Sequence, residues 1–140
     1  MADKVIGAVM VVGGGIAGMQ SALDLANGGY LVHMVTDEPS IGGKMAQLDK
    51  TFPTNECAMC LLGPKMSDTL SHPNIRIHTC AAVKKVTGAA GDFTVEIEQA
   101  PRYVDMAECT ACGDCEQVCP VKIGDSFNEE MTQRKAIYKL

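Results

Sequence analysis

The apolar positions of this chain form three short runs before they give way to a cysteine-rich tail. Ile6-Gly-Ala-Val-Met-Val-Val12 is a continuous apolar stretch of strand length that runs straight into glycines, which predicts a buried strand followed by a tight turn. From Ile16 to about Asn27 the period changes. Ile16, Met19, Ala22, Leu23 and Ala26 recur at helical spacing, and Gly28-Gly29 stops the pattern. Tyr30-Leu-Val-His-Met-Val35 then reads as a second apolar strand. Strand, helix and strand within about thirty residues have the length of a β-α-β unit. The predicted class is therefore α/β, built on a Rossmann-type FAD/NAD(P)-binding unit.

Downstream the pattern weakens. Pro64 to Leu70 predicts a short helix and Asn74 to Thr79 a strand, while Ala82 to Val86 and Phe93 to Glu98 alternate around Gly88-Ala-Ala-Gly-Asp92 as a β-hairpin with a longer loop. After Pro101 cysteines take over from apolar periodicity. The expected division is a partial dinucleotide-binding domain over residues 1–100 and a partial ferredoxin-like segment over 101–140. There is no internal repeat or low-complexity tract.

Composition narrows the partners. An apolar fraction of 46% in 140 residues suits a globular chain with a modest core, and no uninterrupted apolar run approaches the 18 or so residues of a membrane span. A net charge of −5 offers no basic field for a phosphate backbone, so nucleic acid is not an expected partner. The start Met1-Ala-Asp-Lys has no cleavage-site pattern, and seven cysteines cannot form a complete disulfide framework. Both features point to a reducing cytoplasm in which thiolates hold metal.

The first chemistry lies in Gly13-Gly14-Gly15-Ile16-Ala17-Gly18, a G-x-G-x-x-G run between a predicted strand and a predicted helix. In this reading Gly13 permits the turn, Gly15 lets a pyrophosphate approach the backbone, and Gly18 lets the helix pack close to the strand, with the helix N-terminus facing the phosphates. The ribose-binding acid is expected at Asp37 or Glu38, which follow Thr36 at the end of the second strand. The loop Glu38-Pro-Ser-Ile-Gly-Gly-Lys-Met45 adds Gly43, Lys44 and Met45 as residues that close over the cofactor. The competing reading is a glycine-rich turn in a Rossmann-like domain that binds no nucleotide.

The second is more specific. Cys109-Thr-Ala-Cys112-Gly-Asp-Cys115-Glu-Gln-Val-Cys119-Pro120 has the C-x2-C-x2-C-x3-C-P spacing that wraps [4Fe–4S] clusters, with three thiolates on one cluster and the fourth usually on a neighbour. A single such run leaves open whether Cys119 closes the same cluster. Structural zinc is the alternative, although zinc sites usually separate two C-x2-C pairs by a longer spacer. Cys57 and Cys60 form a further pair, expected here as metal ligands, with a redox dithiol as the other possibility. Cys80 is either a third ligand by type or a buried small residue. His33, His72 and His78 are isolated in the sequence and are assigned no chemistry.

Together, GGGIAGMQSALDLA, EPSIGGKMAQLDKTFPTNECAMC, PRYVDMAECTACGDCEQVCPV and RKAIY resemble the A subunit of heterodisulfide reductase and its relatives, from about residue 5 onward. The resemblance implies a thioredoxin-reductase-like FAD domain interrupted by a ferredoxin-like insert. It implies that Gly13, Gly15 and Gly18 hold the FAD pyrophosphate and that Cys109, Cys112, Cys115 and Cys119 belong to the insert. Family members are several times longer, so the chain reads as an internal slice or a split subunit that stops before a second ferredoxin run. Where Thr36 stands the family tends to carry Glu. The expected function is an electron-transfer component that passes electrons between FAD and [4Fe–4S] within a heterodisulfide-reductase-like complex, its partners the other subunits. No residue is expected to act as acid, base or nucleophile, and independent enzymatic activity is not expected. The alternative is a non-catalytic, metal-stabilised adaptor of a larger redox assembly.

Overall fold

The computed structural model describes residues 6–139; residues 1–5, which include the start Met1-Ala-Asp-Lys, and residue 140 lie outside the described residues. The chain divides into two compact units, one ending at Arg102 and the other beginning at Tyr103.

In the first unit the order is β1 (Ala8–Val12), α1 (Ile16–Asn27), β2 (Leu31–Val35), a 3-10 turn (Gly43–Gln47), β3 (Lys50–Thr51), β4 (Glu56–Cys57), α2 (Ala58–Ser71), β5 (Ile75–His78), β6 (Ala81–Ala89) and β7 (Asp92–Gln99). β1, β2 and β5 form a parallel sheet in that order. Its register sets Val9 beside Val32 and Val32 beside Ile75, and sets Val11 beside Met34 and Met34 beside Ile77. Because strand side chains alternate in direction, these residues share one face. That face is the core. Val32 and Met34 are fully buried there with Met19 and Ala22 of α1 and Leu62 of α2, and Ile75 and Leu23 are nearly so. Each large aliphatic side chain removed from water in this way contributes about 1.5–3 kcal/mol before conformational entropy is set against it.

The helical period from Ile16 to Asn27 is realised as α1 over the same span, with Met19, Ala22, Leu23 and Ala26 buried. α2 is longer than its sequence pattern suggests. It starts at Ala58, six residues before Pro64, because Cys57 caps it: the Cys57 Sγ accepts a hydrogen bond from the Cys60 N–H at 3.2 Å. A proline commonly marks a helix start, but here Pro64 lies inside one. β6 and β7 pair as the expected antiparallel hairpin but without the longer loop: pairing continues to Ala89 and Asp92, which leaves Ala90 and Gly91 as a two-residue turn.

The second unit is built differently. A short helix, α3 (Asp114–Val118), precedes β8 (Lys122–Gly124), which pairs antiparallel with β9 (Gln133–Lys135) across a 3-10 turn at Ser126–Asn128. Among its described residues only Gly113 is buried, and no apolar side chain is. Local polar contacts hold it instead. Asp125 accepts from the Phe127 N–H at 3.1 Å, Lys135 donates to the Cys119 carbonyl at 2.6 Å, and Arg134 lies over the Tyr138 ring at 3.8 Å.

Candidate cofactor sites

The glycine run sits at the carboxyl end of β1, where the chain turns into α1. The Gly13 N–H donates to the Val35 carbonyl at 2.8 Å, which ties the turn to the end of β2, and Gly13 holds a φ of 113° that a side chain would strain. The other two fingerprint glycines differ in what surrounds them. A Cβ on Gly18 would lie 2.0 Å from the Gly13 carbonyl oxygen, so a side chain there would drive α1 off the turn. A Cβ on Gly15 would meet nothing within 4 Å. Gly15 has extended backbone angles, φ −77° and ψ −177°, and it caps α1 without a side-chain hydrogen bond. Its bare backbone therefore faces open space beside the first-turn N–H groups of a twelve-residue helix, as an approaching diphosphate requires. Gly14, Ile16 and Ala17 complete the turn, with Gly14 packed against the buried Thr36 side chain.

The loop after β2 is brought to the same place. The Gly42 N–H donates to the Gly14 carbonyl at 2.7 Å, and Gly15 and Gly42 form a parallel bridge. A Cβ on Gly43 would come 3.0 Å from the Gly15 Cα. Gly43, Lys44 and Met45 open the 3-10 turn that follows, with Lys44 exposed and Met45 packed against the core. Asp37 and Glu38 are exposed just beyond β2, while Thr36, which precedes them, is buried. The residues present fit the ADP half of a flavin dinucleotide.

In the second unit Cys109, Cys112, Cys115 and Cys119 are all free thiols, the first three exposed and the fourth half-buried. Left-handed backbone at Ala111 and Gly113 flanks the second cysteine, Cys112, on either side. Backbone hydrogen bonds with Ile137 and Val121 hold the Cys119 thiol below its usual pKa, and Lys135 adds to the effect. Among the described residues no three His, Cys, Asp or Glu side chains converge as a metal site. Ligand type and spacing are therefore the informative features here. By donor set and spacing the residues fit an iron–sulfur cluster.

One expected ligand pair is arranged otherwise. Cys57 and Cys60 are joined to each other as a disulfide, with Cα atoms 5.2 Å apart, so in this structure neither sulfur is a free ligand. The capped first turn of α2 is what brings residues three apart within bonding distance. Cys80 is half-buried at a φ of 51° and forms no part of a metal cluster among the described residues.

Sequence reading missed a histidine pair. The His33 Nδ1 and His78 Nε2 lie 3.1 Å apart on adjacent strands, with the rings stacked at 5.4 Å. Burial and the neighbouring His33 lower the His78 pKa. The alternation of β2 and β5 put both on the face opposite the core, but their register depends on pairing between strands some forty residues apart, which one sequence does not display.

Residues 8–48 match the FAD binding domain family and residues 102–123 the 4Fe-4S binding domain family. Over 130 residues the chain is 57% identical to an iron-sulfur A subunit, the second of its kind, of the CoB--CoM heterodisulfide reductase of Methanopyrus kandleri, covering 93% of this chain and 20% of that protein. It is 54% identical over 129 residues to the corresponding A subunit of Methanocaldococcus jannaschii, covering 92% of this chain and 20% of that one. It is also 52% identical over 129 residues to the A subunit of the H(2):CoB-CoM heterodisulfide,ferredoxin reductase of Methanothermobacter marburgensis, with the same coverage. The chain thus spans about one fifth of the length of these relatives. Among solved structures, L-proline dehydrogenase from P. horikoshii matches with a TM-score of 0.52 and 21% identity over 69% of this chain and 20% of that one, a likeness of fold. No described helix is long and apolar enough to cross a membrane.

Proposed function

We propose, from its membership of the family of heterodisulfide reductase A subunits, that this chain is an electron-transfer component in which FAD and a [4Fe–4S] cluster exchange electrons. The observation that carries the reading is the open backbone at Gly15, framed by Gly13, Gly14, Gly18 and Gly43, in the same chain as four free thiols at cluster spacing. Gly13 to Gly18 would hold the pyrophosphate against the α1 N-terminus, Lys44 would supply a cation beside it, and Asp37 or Glu38 would accept from the ribose hydroxyls. Met45 would close the loop over the adenosine side. Cys109, Cys112 and Cys115 would ligate the cluster, with Cys119 as its fourth ligand or the ligand of a neighbour.

The cofactors supply the redox chemistry; the residues bind, orient and tune them. The lowered Cys119 pKa favours a thiolate sulfur and so favours ligation. The partners under this proposal are other subunits of a heterodisulfide-reductase-like complex in the cytoplasm, where free thiols persist. Stepwise anaerobic reduction of the reconstituted chain tests the reading. Electrons delivered to the flavin are expected to appear as a reduced-cluster electron paramagnetic resonance signal. A cluster that stays oxidised while fully reduced flavin accumulates would overturn it.

A further inference from the structure

The flavin and cluster readings leave one reactive pair unused, the disulfide at the start of α2. Cys57 and Cys60 are both exposed, although Ala58 between them is fully buried and anchors the turn. The two sulfurs are not equivalent. Cys57 is the helix cap, and its Sγ accepts the Cys60 backbone N–H at 3.2 Å. Cys60 lies inside the first turn, and its side chain has no such donor among the hydrogen bonds seen. When the bond opens, negative charge on the Cys57 sulfur gains that N–H and the positive end of a fourteen-residue helix. The helix is also firmly held. Leu62, two residues beyond Cys60, is fully buried and packs beneath Gly42. Phe52, Met59 and Leu61, near the pair in sequence, are exposed.

We propose that Cys57 and Cys60 are a redox-active dithiol that exchanges two electrons with a disulfide or dithiol of a partner molecule, and that the structure shows its oxidised form. In the reduced form the Cys57 thiolate attacks one sulfur of the partner disulfide. A Cys57–partner bond forms, the partner's sulfur–sulfur bond breaks, and the first partner thiolate leaves and takes a proton. Cys60 then gives up its proton and attacks the Cys57 sulfur, which restores the Cys57–Cys60 bond and releases the second partner thiol. Two electrons and two protons pass to the partner, and a partner dithiol drives the same steps in reverse.

Peptide-resolved thiol labelling of the full chain, with its cluster in place, tests this. The peptide carrying Cys57 and Cys60 is expected to take no alkylating label as isolated and two labels after dithiothreitol. With a small aromatic disulfide as probe, reduced Cys60→Ser is expected to form a stable mixed disulfide at Cys57. Reduced Cys57→Ser, whose serine still caps α2, is expected to react at Cys60 at least about threefold more slowly, the net of a larger thiolate fraction and a weaker nucleophile at Cys57. Iron content is expected to be the same in both variants and the parent chain, which separates this site from the cluster. Label on both cysteines without reduction, equal rates in the two variants, or iron lost from either would overturn the proposal.

Discussion

The two units of this chain are held together by different means. The first buries Met19, Val32, Met34 and Leu62 completely between a parallel sheet and two helices. The second buries no apolar side chain among its described residues and instead concentrates four free thiols in eleven residues around one short helix. A small unit without a core needs another source of stability, and metal ligation is the source its composition offers. Under the proposed function the contrast also divides the labour: the first unit would supply a backbone cradle, whereas the second would be stiffened further by its ligand.

If that contrast is right, removing one thiolate has the largest effect. Cys112→Ser is expected to abolish most of the iron content and to leave the second unit's amides exchanging at close to unfolded rates, while the first unit keeps its protection. Amide exchange by mass spectrometry resolves the units, and uniform loss across both would erase the distinction. Leu62→Ala acts on the other side. It empties a fully buried position and is expected to cost the first unit about 2–5 kcal/mol in denaturant unfolding, with iron retained.

Gly18→Ala and Gly15→Ala sharpen the division within the cradle itself. The added methyl of Gly18→Ala meets the Gly13 carbonyl, so a loss of about 1–3 kcal/mol in stability is expected even without cofactor. At Gly15 the backbone angles suit alanine and the space is open, so stability is expected to stay within about 0.5 kcal/mol. FAD affinity, read by isothermal titration, is expected to fall at least about tenfold because the methyl occupies the diphosphate's approach. Equal FAD affinity in Gly15→Ala and the parent chain would refute the cradle.

The smallest effect is one of pH. The His78 pKa is lowered in the fold, so the unfolded chain binds more protons. His78 therefore contributes its full stabilisation above about pH 6.5, the unfolded value, and loses that contribution as pH falls through its lowered folded value. The melting temperature of the first unit is expected to drop on acidification below pH 6.5, and His78→Asn is expected to flatten that part of the profile. The second unit, which has no histidine, is expected to show no such dependence.

The same contrast explains what was legible in the sequence. Apolar periodicity located β1, α1 and β2 to within two residues because each buries a face whose spacing its own segment displays. It failed at the start of α2, where the cap is a cysteine, an uncommon residue for that role, and Pro64 suggested a later start. The cysteine spacing from Cys109 to Cys119 was legible as chemistry but silent on local structure, since a ligand-shaped loop has no periodicity to read. The Cys57–Cys60 bond and the His33–His78 pair became definite only in three dimensions, one through a helix start and the other through strand register.

The central claim is that one chain holds a flavin on its glycine turn and an iron–sulfur cluster on its cysteines. Its most direct test is iron, sulfide, zinc and flavin quantitation on one anaerobically purified and reconstituted sample. The account predicts about four irons and four sulfides per chain with bound FAD beside them; zinc in place of iron, with no flavin retained, would contradict it.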